Sequence, residues 1–201
     1  RGHKRFLSPD RSAMVMGANV LASYPLLLVQ TCHRRGAFAI GNLAPLLPIS
    51  SDHRANDVAL GKLRADKERE ASDGYDGTWV AHPSQVAVAR GVFDHHGVVD
   101  NQLAVRREDV DVIASDLLSI HPGRRTEAGL RDTVRIALDY IEAWLRGAGA
   151  LDRHGVLEDG GSAELARAQL WQWVHHGALL SDGRPITADL VLSTIDEEVA
   201  R

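Results

Sequence analysis

Two short apolar runs constrain this chain's fold more than any other feature. Ala37-Phe38-Ala39-Ile40 is bounded by Gly36 and Gly41. Thr78-Trp79-Val80-Ala81 follows the turn cluster Asp73-Gly74-Tyr75-Asp76-Gly77 and ends at His82-Pro83. Such runs read as strands buried on both faces. Helical patterns surround them. From Gly17 to Arg35 the residues Val20, Leu21, Tyr24, Leu27, Leu28 and Thr31 recur at steps of three and four, and Pro25 is expected to kink or divide that helix. A polar helix is expected from Asn56 to Ala71, and another, capped by Ser84, to Phe93. Strands alternating with helices imply parallel pairing in an α/β layer. Two strands cannot close a sheet with two faces to cover, so this half is expected to need strands from outside the chain.

Beyond Asn101 the strand signals vanish. Thr126 to Arg146 carries Leu130, Val134, Ala137, Leu138, Ile141, Trp144 and Leu145 as one helical stripe, and Gly147 ends it. Gly147, Gly149, Gly155, Gly160 and Gly161 then predict a supple connection without a fixed local fold. Ser162 is expected to cap the next helix, which runs to about His176, and Thr187 a last one toward Arg201. Trp144, Trp171 and Trp173 read as packing residues of these helices. Residues 1–16 read as an irregular lead-in. The expected division is an α/β piece at 1–96 and an all-helical piece at 97–201.

With Lys and Arg at 23 against 27 Asp and Glu, the net charge is −4, which argues against a nucleic-acid surface. The longest apolar run, Pro25 to Val29, is too short to span a bilayer, and no signal peptide is visible. Neither nucleic acid nor membrane is expected as a partner. Cys32 is the only cysteine, so no internal disulfide can form, and a reducing, cytoplasmic setting is expected. The chain begins with Arg1 instead of Met, which predicts a processed protein or a piece of a longer one.

The strongest candidate for chemistry is Glu158-Asp159, set just before the helix at Ser162. A helix N-terminus favours a nearby carboxylate in its charged form, and a charged, partly exposed carboxylate suits a general base. The alternative is a pair of acids that only decorates the helix entrance. Cys32 beside His33 could suggest a nucleophile, but helical neighbours point in different directions, so a structural thiol is expected. His95-His96 and His175-His176 lack metal-ligand spacing. The run Arg64 to Glu70 reads as a solvated face, with Asp66 and Arg69 paired at i,i+3. No glycine-rich phosphate loop is present.

Several segments together resemble the malate synthases of the A (glyoxylate-cycle) type. They are Thr31-Cys32-His33-Arg34-Arg35-Gly36-Ala37-Phe38-Ala39, Ala65-Asp66-Lys67-Glu68-Arg69-Glu70-Ala71 and Asp73 to Pro83. Tyr140 to Gly147, Leu157-Glu158-Asp159 and Trp171-Gln172-Trp173 continue the series. The resemblance covers essentially the whole chain. It implies an α/β plus all-α fold: the last strands and helices of a (β/α)8 TIM barrel, then a helical C-terminal domain, here incomplete, that closes over the barrel mouth. It implies Asp159 as the general base in the condensation of acetyl-CoA with glyoxylate to malate and CoA, and gives Glu158 no chemistry. Leu43 and Pro83 are expected near acetyl-CoA. Mg is the implied cofactor, with its ligands and an electrophilic arginine on strands upstream of this chain and no metal residue within it. The chain departs from the family wording at Pro25, Asn42, Pro45 and Gly160-Gly161. Alone it is expected to be inactive. A non-catalytic remnant or helical interaction module, and a related TIM-barrel acyl-CoA lyase, are the alternatives.

Overall fold

The structure, a computed structural model, describes residues 6–14, 19–49, 52–97 and 100–201. Its helices are α1 (Asn19–His33), α2 (His53–Asp73), α3 (Val86–His95), α4 (Ala114–Leu118), α5 (Glu127–Leu145), α6 (Gly160–His175) and α7 (Ala188–Val199). Its strands are β1 (Ile40–Gly41), β2 (Gly77–Thr78), β3 (Ala150–Arg153) and β4 (Val156–Asp159). Two compact units result. A sheet-bearing unit comprises Ser23–Ala114 and Asp152–Leu157, and a helical unit comprises Arg1–Ala22, Ser115–Leu151 and Glu158–Arg201.

In the sheet-bearing unit β1 and β2 pair in parallel, with Ile40 opposite Gly77 and Gly41 opposite Thr78. The strand–helix–strand order and parallel pairing are as the sequence predicts. Burial of both faces is not. Val29, Ala39, Ala71, Tyr75, Val92 and Phe93 form a core, with Cys32 packed beside it as a free thiol. Phe38 and Trp79, however, are 59% and 66% exposed. Covering both faces takes a layer on each side, and these side chains have none. The strands are correspondingly shorter than the apolar runs.

Helix α1 passes through Pro25 undivided. The missing amide costs one backbone bond, while the following turns bury Val29 and Gln30. The expected helix start at Gly17 and the side chain of Val20 lie outside the described residues. Helix α2 is longer than expected. Asp52 accepts the Ala55 amide at 2.8 Å at its start, and Gly74 ends it with φ at 105°. Asp66 and Arg69 pair at 2.6 Å, but the rest of the charge run is not a solvated face. Leu63, Lys67, Glu70 and Ala71 are buried together, one helical face by their spacing. Ser84 is not the cap of α3. The His82 ring accepts the Ser84 amide at 3.2 Å, and Pro83–Gln85 form a 3-10 turn that leads into the helix. Proline suits that first position because no amide is needed there.

Residues 150–159 correct two expectations. The glycine-rich stretch is not a structureless connection, and the second half of the chain is not all-helical. β3 and β4 form a hairpin that turns at His154 and Gly155, with φ at 56° and 78°. Two adjacent positive φ values are the mark of the tight turn that matches strand twist. Asp152 Oδ1 accepts the Gly155 amide at 2.6 Å. At its tip the hairpin meets the segment after β1: the Leu47 amide donates to Gly155 O at 2.7 Å, and the Leu157 amide to Pro45 O at 2.8 Å.

In the helical unit Leu130, Trp173, Ala178, Leu180 and Ile186 make the core, with Trp173 fully buried. Thr126 caps α5 by accepting the Gly129 amide at 2.9 Å, and Thr187 caps α7 through the Leu190 amide at 3.1 Å. The α5 stripe is buried at Leu130 and Val134 but exposed at Ile141, Trp144 and Leu145. Trp144 and Trp171 are therefore not packing residues of this unit's core. Trp171 instead stacks on His175, ring centroids 4.7 Å apart.

Candidate active site

The end of β4 sets out two acids with opposite fates. Successive side chains of a strand point to opposite faces. Glu158 goes inward and is 2% exposed, whereas Asp159 faces out. Asp159, not Ser162, is the N-cap of α6. Its Oδ1 accepts the Ser162 amide at 3.0 Å, and Ser162 Oγ in turn faces the Asp159 amide at 3.5 Å. This reciprocal arrangement closes two orphan donors of the helix start. Asp159 Oδ2 receives no hydrogen bond from the described residues. One oxygen is thus held by a backbone amide.

Glycine at 160 has a packing reason. A Cβ there would lie 3.0 Å from the Tyr140 hydroxyl, so the bare backbone lets α5 approach the helix start.

Glu158 is more than a neighbour. Arg11 Nη1 donates to its Oε1 at 2.7 Å. Its Oε2 has no partner among the described residues. Arg11 was invisible to the sequence reading, since no local pattern links positions 11 and 158. It belongs to residues 6–13, which are no loose lead-in where described. The Trp173 indole donates to Ser8 O at 2.9 Å, Gln169 Nε2 to Pro9 O at 2.6 Å, and Gln172 Nε2 to Phe6 O at 2.8 Å. The Asp10 carboxylate accepts the Thr126 hydroxyl at 2.7 Å and the Thr126 amide at 3.0 Å.

Leu43 and Pro83 fall in the sheet-bearing unit, just beyond β1 and β2 respectively. Leu43 is half-buried, and its amide donates to Asn42 Oδ1 at 2.9 Å; Pro83 is exposed and opens the 3-10 turn. Beneath them Lys67 Nζ donates to Asn42 O at 2.7 Å and reaches both oxygens of Glu70 at 3.2 Å. Burial pushes the Glu70 carboxyl above its usual 4.5, outweighing the Thr78 hydroxyl and Lys67 ammonium that favour its charged form. Gly41 is required here: a Cβ would come within 2.3 Å of Glu70 Oε2. The buried charge pair is thus structural support for the strand end. Spacing could have found it, because 63, 67, 70 and 71 fall on one helical face.

Among the described residues no group of three or more His, Cys, Asp or Glu side chains could hold a metal ion. None of their helices is long and apolar enough to cross a membrane.

Comparison with known proteins divides the chain into two consecutive segments. Residues 1–120 match the family description "Malate synthase, TIM barrel domain", and residues 124–201 match "Malate synthase, C-terminal". The chain is 47% identical to a malate synthase of Myxococcus xanthus over 197 residues, covering 98% of this chain and 36% of the relative. It is 45% identical to malate synthase A of Escherichia coli over 193 residues, 95% of this chain and 36% of the relative. A glyoxysomal malate synthase of Zea mays is 42% identical over 207 residues, 100% of this chain and 37% of the relative. These matches define a barrel-domain portion followed by a C-terminal domain. The chain belongs to the malate synthase family, and it spans little more than a third of the length of these relatives.

Proposed function

We propose that this chain is the catalytic-base-bearing portion of a malate synthase, with Asp159 as the general base. The observation that carries the reading is the state of that carboxylate: exposed, at the strand–helix junction, with one oxygen fixed by the Ser162 amide and the other open. In the reaction, Asp159 takes a proton from the methyl of acetyl-CoA. The C–H electrons pass into an enolate, whose carbon attacks the aldehyde carbon of glyoxylate. The new alkoxide takes up a proton, and water then cleaves the malyl thioester to malate and CoA. A methyl is a weak carbon acid, so the base must be held close and correctly aimed. An amide-anchored carboxylate meets that demand better than a freely rotating one.

The partial-barrel reading belongs to the same proposal. It takes residues 1–96 as the last strands and helices of a (β/α)8 barrel and 97–201 as the C-terminal domain. The exposed Phe38, Ile40 and Trp79 beside β1 and β2 support it, since further barrel strands would cover them. Leu43 and Pro83, beyond the strand C-termini, are where barrel enzymes place ligand contacts, here for acetyl-CoA. Mg belongs to this proposal as a cofactor held by residues outside this chain. No group of three or more His, Cys, Asp or Glu side chains among the described residues forms a site for it. A cytoplasmic location is supported by the single free cysteine.

The test is replacement of Asp159 by Asn in the full-length product of the gene that encodes this chain. Removing a general base is expected to lower kcat by about 10³-fold with acetyl-CoA binding retained. Turnover unchanged by D159N overturns the assignment. The 201-residue chain alone is expected to form no malate, because it spans so little of its relatives' length.

A further inference from the structure

We infer that Arg11 and Glu158 are positioning residues for Asp159: the pair, carried by the 6–13 strap, sets the direction in which the base faces. The inference rests on the reading of Asp159 as the base. Strand geometry supplies the link. Side chains alternate between faces along β4, so Glu158 cannot leave the interior without rotating the strand end and turning Asp159 away from its outward face. Glu158 is 2% exposed, and among the described residues Arg11 is its one ion-pair partner, at 2.7 Å. A buried carboxylate stripped of its counter-charge is driven toward water. Arg11 therefore keeps Glu158 in, and Glu158 in keeps Asp159 out.

The strap makes Arg11 a rigid donor. Arg11 opens a 3-10 turn, and the residue before it is clamped to the start of α5: the Asp10 amide donates to Arg124 O at 2.9 Å, and its carboxylate accepts from Thr126. A Cβ at Gly129 would lie 2.1 Å from Asp10 Oδ1, so α5 has a glycine where the strap presses against it. On the other side the Trp173 indole and Gln169 hold Ser8 and Pro9 to α6. The helix that Asp159 caps is thus the helix that grips the strap. A residue near the chain's first described segment and one near position 160 act on a single carboxylate.

The experiment compares R11Q, E158Q and the double variant in the full-length product of the gene, with two readouts. Hydrogen exchange by mass spectrometry reports on the peptide spanning 156–165, which includes the Ser162 amide bound to Asp159. R11Q is expected to speed its exchange by about tenfold, while a peptide around Trp173 exchanges as in the parent. The double variant is expected to disturb it less than R11Q alone, because no buried charge then remains. Kinetics supplies the second readout: kcat falls in R11Q while KM for acetyl-CoA stays within about twofold, the signature of lost transition-state placement. Unchanged exchange at 156–165, or an equal rise around Trp173, overturns the proposal, as does a rise in KM with kcat unaltered. If the parent forms no malate, it is the malate synthase reading that fails, and the exchange pattern still decides whether the pair positions Asp159.

Discussion

The two compact units both bury charge beside an apolar core, but they shield the partners differently. The helical unit closes around apolar groups, with Trp173, Leu130 and Ile186 almost wholly shielded. Its many ion pairs sit mostly at the surface, such as Glu164 with Arg167 at 2.7 Å. Its buried Glu158 and Glu198 pair with arginines that stay partly in solvent, whereas the sheet-bearing unit shields both partners. It buries Lys67 with Glu70 and His33 with Asp76, the latter 2.9 Å apart, while leaving Phe38 and Trp79 in solvent. Taking both partners of an ion pair out of water carries the larger desolvation penalty, so the sheet-bearing unit keeps less of its burial as net stability. The helical unit is expected to be the more protected of the two in native-state hydrogen exchange.

The sharpest way to break that contrast is Trp173→Ala. It empties the centre of the helical core and removes the indole bond to Ser8 O, and it is expected to cost about 3–5 kcal/mol in chemical denaturation. Exchange should rise throughout α5 and α6 and leave α2 as it was. A uniform rise in both units would erase the distinction. Lys67→Met comes next. It leaves Glu70 buried without its ammonium, at a cost of about 3 kcal/mol confined to the sheet-bearing unit, since the carboxyl can escape part of the penalty by taking up a proton. Adding Glu70→Leu should recover most of that loss. If the double replacement is as damaging as the single, the pair is doing something other than neutralising itself.

Acid acts with opposite signs on α2 and on the helical unit, while Asp109, beyond α2, is held low by Arg107. The folded-state value of Glu70 is raised above its usual 4.5 by burial, so the folded protein holds that proton more tightly than the unfolded chain does. Asp73 is raised from 3.8 for the same reason. Their contribution to stability is therefore lost as pH rises through the folded values and regained on acidification toward the ordinary carboxylate range. Glu127 and Asp182 in the helical unit are held low by Arg184, and Glu164 by Arg167. Their contribution is present above the ordinary range and lost as pH falls below it. On acidification toward the ordinary carboxylate range, α2 should exchange more slowly relative to its intrinsic rate, while α5 to α7 should begin to loosen only as pH falls below that range. The same direction of change in α2 and in α5 to α7 would contradict these opposite shifts.

What could be read from the sequence follows from how locally each feature is determined. The cap Thr187 and the stop at Gly147 act within a few residues, so the helices they bound were legible. So was the parallel β1–β2 pairing, because alternation of strand and helix leaves few other choices. The hairpin was not. Ala150-Leu151-Asp152-Arg153 has no β-branched residue, and its turn uses His154 where Asn or Asp is commoner; Gly155 between two short alternating runs was the available signal. Asp159 was found by its wording, but its role as the helix cap was assigned to Ser162 because both are good capping residues. Arg11 could not be found at all. Its partner is 147 positions away, and only the folded strap brings them together.

The smallest effect expected is at the last helix. Thr187 accepts the Leu190 amide at 3.1 Å, and it stands alone at the start of α7 without the reciprocal partner that Ser162 gives Asp159. Thr187→Ala should cost about 1 kcal/mol, the usual worth of a single cap. Because α7 packs on α5 but lies far along the chain from the strap, exchange should quicken in the first turn of α7 and remain unchanged in the peptide spanning 156–165. If that peptide responds as well, the helical unit transmits loosening from its periphery to Asp159, and rigidity there belongs to the whole bundle and not to the Arg11–Glu158 pair.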